Sequence, residues 1–309
     1  MKWDRIGQIF EDPHGGFAQS PQGVPIEDGI RVYYSYRVVE PSTGKYLSHI
    51  AYLDFTCRFA AIKGRSAKQV IKLGATGCFD EHGIFPMNVL KHSGRIMAYT
   101  TGWSRRVSVQ VETSIGFAES FDGGKTFEKL GDGPVLTNSL HEPFLVADAF
   151  VQHINGCFHM WYIHGTHWIE SGDQPERVYK IAHATSDDGL HWIKENRQIV
   201  QEAFPDECQA LPTVIRLGGS YHMVFCYRHA TDFRTNKLRG YRLGYARSGD
   251  LVNWTRDDNE LGIDLSETGW DSEMMCYPHL MEADGEVFLL YNGNQFGRYG
   301  FGAAVLREV

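Results

Sequence analysis

Four glutamates, Glu81, Glu142, Glu207 and Glu273, recur along a 309-residue chain at steps of 61, 65 and 66 residues. Aspartates accompany them: Asp80 and Asp206 directly precede two, and Asp271 lies two residues ahead of a third. Carboxylates crowded into one place repel one another and raise at least one pKa. A protonated acid can then sit beside an ionised base near neutral pH. That pairing equips a site for general acid–base or nucleophilic catalysis. The catalytic expectation falls on Asp80, Glu142, Glu207 and Glu273.

Each glutamate stands five residues before an anchor that opens an apolar segment: Pro86, Ala147 in place of proline, Pro212 and Pro278. A first copy begins at Pro21, with Gly16 at the glutamate position, so the anchors step by 65, 61, 65 and 66 residues. Every copy reads as a short strand, a turn containing Gly and an aromatic-rich strand, as in "FPMNVLKHSGRIMAYTTG" and "YPHLMEADGEVFLLYNG". In the first two copies Pro21, Gly29 and Tyr34 are spaced as Pro86, Gly94 and Tyr99 are. A second element follows each hairpin, as in "SIGFAESFDGGKTFEKL" and "KIAHATSDDGLHWIKE": a third strand, then a turn and an aromatic that opens a fourth.

Four strands per repeat make a propeller blade, and five repeats predict an all-β, five-bladed β-propeller with four-stranded antiparallel blades in a single domain, 1–309. The fifth copy stops after its third strand at Val309, while Trp3 in "KWDRIGQIF" matches Trp192 and Trp254 of the fourth strands. The N-terminal strand is therefore expected to complete the last blade and remove its open edge.

The first strand of each propeller blade lines the axis, so the glutamates and their neighbours are expected to converge there. The expected substrate-binding set adds Glu81, Asn88, Asp148, Asp271 and His279, with His14 and Gln19 from the first copy. Trp103, His167, Trp168, Arg228 and Asn294 follow the inner strands, where aromatic faces beside polar groups suit sugar rings. The competing reading is that the glutamates accept loop amide hydrogen bonds and tie the blades together.

A net charge of −8 and a sequence pI near 5.9, without a clustered basic stretch, argue against nucleic acid. No segment approaches the ~20 apolar residues needed to span a bilayer, and the first residues lack a signal-peptide pattern. A cytoplasmic protein is expected. The six cysteines form no CxxC pair and read as reduced core thiols. His164 and His167 stand three apart but lack a third ligand by spacing, so no metal held by protein residues is expected.

The five repeats, the carboxylates ahead of the inner strands and the "SxDGxxW" turns resemble the five-bladed propeller glycoside hydrolases, families 32, 43, 68 and 130 among them. "WDSEM", "YNGNQFG", "SFDGGKTF" and "HEPF" are similar to propeller proteins encoded with bacterial surface-polysaccharide enzymes. The resemblance implies a glycosidic bond as target and an oligosaccharide or activated sugar as partner. In families 43 and 32 an acidic residue comes from each of the first three blades. Asp80 matches the second and Glu142, in "HEPF", the third, as general acid. The first-blade match fails, because "AQSP" stands there and Asp12 is a substitute at best. The phosphorylase branch implies phosphate as co-substrate, with Arg105, Arg106, Arg228 and His229 available to hold it, and the fold admits calcium on its axis; no other cofactor is expected. The failed match keeps alternatives open: a glycan-binding or assembly protein without catalysis, a phosphorylase, or sugar transfer during polysaccharide synthesis.

Overall fold

The computed structural model describes residues 1–172 and 174–309. Among them the strands are β1 (Lys2–Phe10), β2 (Gln19–Ile26), β3 (Gly29–Val39), β4 (Tyr46–Phe55), β5 (Ile62–Arg65), β6 (Gly83–His92), β7 (Arg95–Arg105), β8 (Val111–Ser120), β9 (Glu128–Lys129) and β10 (Val146–Ile154). They continue as β11 (Cys157–Ile169), β12 (Glu176–Ser186), β13 (Ile193–Lys194), β14 (Glu207–Leu217), β15 (Ser220–His229), β16 (Arg242–Ser248), β17 (Thr255–Arg256), β18 (Cys276–Ala283), β19 (Glu286–Asn292) and β20 (Phe301–Glu308). The fold is all-β. Consecutive strands pair antiparallel in the orders β10-β11-β12-β13, β14-β15-β16-β17 and β18-β19-β20-β1. A longer sheet joins β2-β3-β4, with β5 on β4, to β6-β7-β8-β9 through one parallel bridge, Ser48 to Gly83.

Local chemistry explains the hairpins. The turns Ser93-Gly94, Asn155-Gly156, Gly218-Gly219 and Asp284-Gly285 have positive φ at both residues, the twist that suits tightly paired strands. The first hairpin turns at Glu27-Asp28 instead, and Gly29 opens β3, where a Cβ would collide with the carbonyl of Phe55. The match of Gly29 with Gly94 is therefore offset by one residue. Tyr33, not Tyr34, is the counterpart of Tyr99: their hydroxyls donate to the carbonyls of Gly124 and Gly189 in the neighbouring repeat.

Those carbonyls belong to the turns between third and fourth strands. In each, an aspartate (Asp122, Asp188 or Asp250) accepts two backbone N–H bonds and one from the hydroxyl of Ser120, Ser186 or Ser248. Burial opposes ionisation of Asp122, but hydrogen bonds from Thr126, Ser120 and Lys125 prevail and hold its pKa down at about 2.

All five inner strands share one irregularity. The register slips between Gln19 and Gln22, Ile84 and Met87, Ala147 and Phe150, Ala210 and Thr213, and Cys276 and His279. Proline occupies four of these bulges, as a residue with no ladder hydrogen to donate can. The fifth bulge puts Ala149, not Ala147, at the proline position, which corrects the expected anchor by two residues. With Ala149 the two middle steps become 63 residues each.

Hydrogen bonds connect one inner strand to the next: Asn88 Nδ2 to Gln22 Oε1, Val151 N to Asn88 Oδ1, Gln152 Nε2 to the Val214 carbonyl, Leu280 N to Thr213 Oγ1, and His279 Nε2 to the Gly23 carbonyl. Apolar side chains fill the spaces between successive sheets. Met97, Tyr99 and Phe117 pack on Val151, Met160 and Tyr162; Ile30, Val32 and Leu53 pack on Phe288, Leu290 and Phe301. Each such side chain contributes ~1.5–3 kcal/mol by leaving water. β1 lies on β20, with Trp3 opposite Leu306, and the Trp3 indole donates to the Leu261 carbonyl.

Candidate active site

The fourth strands decide the fate of the recurring carboxylates. Two residues after the aromatic that opens each one stands a cation: Lys129 after Phe127, Lys194 after Trp192, Arg256 after Trp254, and Arg5 after Trp3. Lys129 pairs with Asp80, Lys194 Nζ lies 2.6 Å from Glu142, Arg256 Nη1 lies 2.7 Å from Glu207, and Arg5 pairs with Asp271. All four carboxylate side chains are at most 3% exposed. The Tyr162 hydroxyl donates to Glu142 at 2.7 Å and the Tyr291 hydroxyl to Asp271 at 3.0 Å; Gln209 and the Ala203 amide donate to Glu207.

Each pair thus ties the start of an inner strand, or the segment just before it, to the last strand of the same repeat. The expectation that these carboxylates converge gives way to separate pairs, each carboxylate being held by a cation on the edge strand of its own sheet. Counting back five residues also mixed two kinds of position: the equivalent carboxylates by partner are Asp80, Glu142, Glu207 and Asp271. Glu81 instead accepts from the Gly77 amide. In the first copy a Cβ on Gly16 would collide with Asp12.

A cavity of about 720 Å3 is lined by residues at the bulges of all five inner strands: Gln19, Phe85, Asp148, Ala210 and Tyr277. Here Ser20, Asp148, Leu211 and Tyr277 have φ of 53°, 58°, 47° and 56°, the left-handed region that costs a residue with a Cβ about 1–2 kcal/mol. Of the expected site residues, Gln19, Trp103, Asp148, Arg228 and Glu273 line the cavity.

Asp148 is 7% exposed. Burial raises its pKa to about 7 against the opposing Leu211 amide, which donates to Oδ2 at 3.3 Å, and the positive charge of Arg177. Glu273 is half-exposed and pairs with Lys237; its own amide and that of Met274 donate to Asn294 Oδ1 at 2.8 and 3.0 Å. Asn294 therefore holds the Glu273 segment rather than facing the cavity. The Gln19 amide nitrogen donates to the Phe296 carbonyl at 2.5 Å, and its buried oxygen has no partner among the described residues.

The other expected ligands lie elsewhere. Asn88 and His279 tie inner strands together, and burial lowers the His279 pKa to about 4. His14 is exposed on the loop after β1, His167 pairs with Asp206 at 3.0 Å, and Trp168 packs on the core. No trio of His, Cys, Asp or Glu side chains able to hold a metal occurs among the described residues. The six cysteines are free thiols, with Cys208, Cys226 and Cys276 buried and Cys57 exposed.

Sequence reasoning missed Arg37, Arg177 and Arg298, which line the cavity with Phe17, Tyr179 and Phe296. No spacing marks them, since they come from β3, β12 and the segment before β20. It also missed the cations of the fourth strands, although the interval from aromatic to cation was there to be read.

No family model matches the chain. Two proteins of Mycobacterium tuberculosis, "Uncharacterized protein MT1551" from strain CDC 1551 / Oshkosh and "Uncharacterized protein Rv1502" from strain ATCC 25618 / H37Rv, are each 32% identical to it, with full coverage of both sequences. The chain belongs to the family of these mycobacterial proteins. Among solved structures, an RGII complex of BT0996 matches with a TM-score of 0.71 at 17% identity, covering 99% of this protein and 92% of that one. A thermostable family-43 glycoside hydrolase matches at 0.63 and 14% identity, covering 96% and 90%. The endo-arabinase from Bacteroides thetaiotaomicron VPI-5482 matches at 0.63 and 13% identity, covering 95% of each. The chain therefore has the fold of the glycoside hydrolases of the family 43 and 32 type.

Proposed function

We propose that the protein is a carbohydrate-active enzyme that cleaves or transfers a glycosidic bond within a five-bladed propeller spanning 1–309. The succession of bonds between inner strands, from β2 through β6, β10, β14 and β18 back to β2, supports five blades, and β1 on β20 supports closure by the N-terminal strand. Six free thiols fit a reducing cytoplasm.

The observation that carries the reading is Asp148: a buried carboxyl with a pKa raised to about 7, on a bulge, facing a cavity with room for a saccharide. Protonated, Asp148 would give its proton to the leaving glycosidic oxygen. Glu273, paired with Lys237, would supply the second carboxylate, as base for an incoming water or as nucleophile. Trp103 offers a face for a sugar ring. Asp80, Glu142 and Glu207 act in this reading as supports of the blades.

Mass spectrometry of products from oligosaccharides and activated sugars, with and without phosphate, tests it. D148N and E273Q should abolish product while remaining folded, and full turnover by D148N removes the assignment. The engagement of Glu273 by Lys237 favours a second reading, a glycan-binding or assembly protein. Saturable binding with no product from any substrate would support that one.

A further inference from the structure

The protein carries a net charge of −8, yet the cavity has the opposite character. Among the described residues, Arg37, Arg177, Arg228, Arg234, Lys237 and Arg298 line it against only Asp148 and Glu273. Arg234 is engaged by Glu176 and Lys237 by Glu273. Arg37, Arg177, Arg228 and Arg298 have no ion-pair partner among the described residues.

Arg228 is the most telling of the four, being 2% exposed. Its guanidinium carbon lies 3.5 Å from the Phe233 ring centre, with the Tyr179 and Tyr241 rings at 5.3 and 5.5 Å. Nη1 donates to the carbonyls of His229 and Ala230 at 2.7 and 3.2 Å, while Nε has no partner among the described residues. A guanidinium taken out of water without a carboxylate is costly unless something else neutralises it. Aromatic faces fix the Arg228 plane, and planar guanidinium groups read carboxylate and phosphate oxygens.

We propose that this cavity contains an oxyanion site, built from Arg228, Arg37, Arg177 and Arg298, for a carboxylate or phosphate group on the saccharide. The inference rests on the reading of the cavity as a saccharide site and names the class of saccharide: an acidic or phosphorylated sugar rather than a neutral one.

The test is calorimetric titration of the full-length protein with matched probes: glucose, glucuronate, glucose 1-phosphate, UDP-glucose and inorganic phosphate, at low and high salt. At least one charged sugar should bind about tenfold or more tightly than glucose, the effect of a single charge-assisted hydrogen bond. The preference should weaken with salt. Glucuronate preferred over glucose 1-phosphate assigns a carboxylate, and the reverse a phosphate; inorganic phosphate binding as tightly as its sugar ester would make the free ion the ligand of the same site. R37Q and R298Q, at exposed positions where folding is not at stake, should abolish most of the preference. Equal binding of charged and neutral probes, binding of no charged probe, or an unchanged preference in both variants overturns the oxyanion site. Tight binding of a charged sugar with no turnover would leave it standing while the catalytic reading fails; turnover of neutral sugars without preference would do the opposite.

Discussion

Replacing Glu142 by Gln separates a catalytic carboxylate from a structural one. In the native protein Glu142 is fully buried, accepts from the Tyr162 hydroxyl and neutralises Lys194, whose side chain is only 10% exposed. Gln keeps the shape but leaves a buried ammonium without its anion, and breaking one side of such a pair costs ~3–5 kcal/mol. An unfolding entropy of about 2.1 cal/mol/K per residue, or roughly 650 cal/mol/K for the chain, turns that loss into a fall in melting temperature of roughly 5–8 °C. Differential scanning calorimetry of E142Q, K194M and the E142M/K194M pair measures it. Both single variants should melt early, and the double variant should recover much of the loss, because replacing both charges removes the stranded one. The reasoning is refuted if E142Q melts within about 1 °C of the parent. Were it also to lose all turnover, Glu142 would return as the general acid.

Asp148 gives a pH signature. Its native pKa lies above its unfolded value, so the folded state holds the extra proton between about pH 4 and 7, and stability falls across that window by ~1.4 kcal/mol per unit. D148N escapes this slope, so its advantage over the parent in urea unfolding should widen from about pH 4.5 to 7.5; an advantage independent of pH would contradict the raised pKa. Acting as an acid, Asp148 should also make turnover decline above about pH 7. W103A should weaken saccharide binding roughly three- to tenfold in calorimetry, and unchanged affinity would remove Trp103 from the sugar platform. D122A takes the acceptor from the exposed amides of Lys125 and Thr126 and should cost about 0.5–1.5 kcal/mol, read as a lower urea midpoint; an unmoved midpoint would mean that water replaces the carboxylate without loss.

The elements were legible from the chain alone because their signals are local. Ser93-Gly94, Asn155-Gly156 and Asp284-Gly285 turn with positive φ between paired strands, Ser-x-Asp turns satisfy their own amides, and strand alternation repeats with each copy. Even Trp3, at the far end of the sequence from β20, carried the mark of a fourth strand. Local signals did not reveal which way the loop carboxylates turn. Asp80, Glu142 and Glu207 sit where an axis-facing acid would be expected, yet each is claimed by a cation about 49–52 residues later in the chain, and only pairing β9, β13 and β17 into their sheets brings the two together. Asp148 and the arginines that line the cavity show the converse. No common interval relates β3, β10, β12, β15 and the segment before β20, so nothing in the linear order announces a shared cavity. Repeating short-range chemistry determines the strands and turns; burial and charge pairing, which depend on distances between residues remote in sequence, are decided by the tertiary structure.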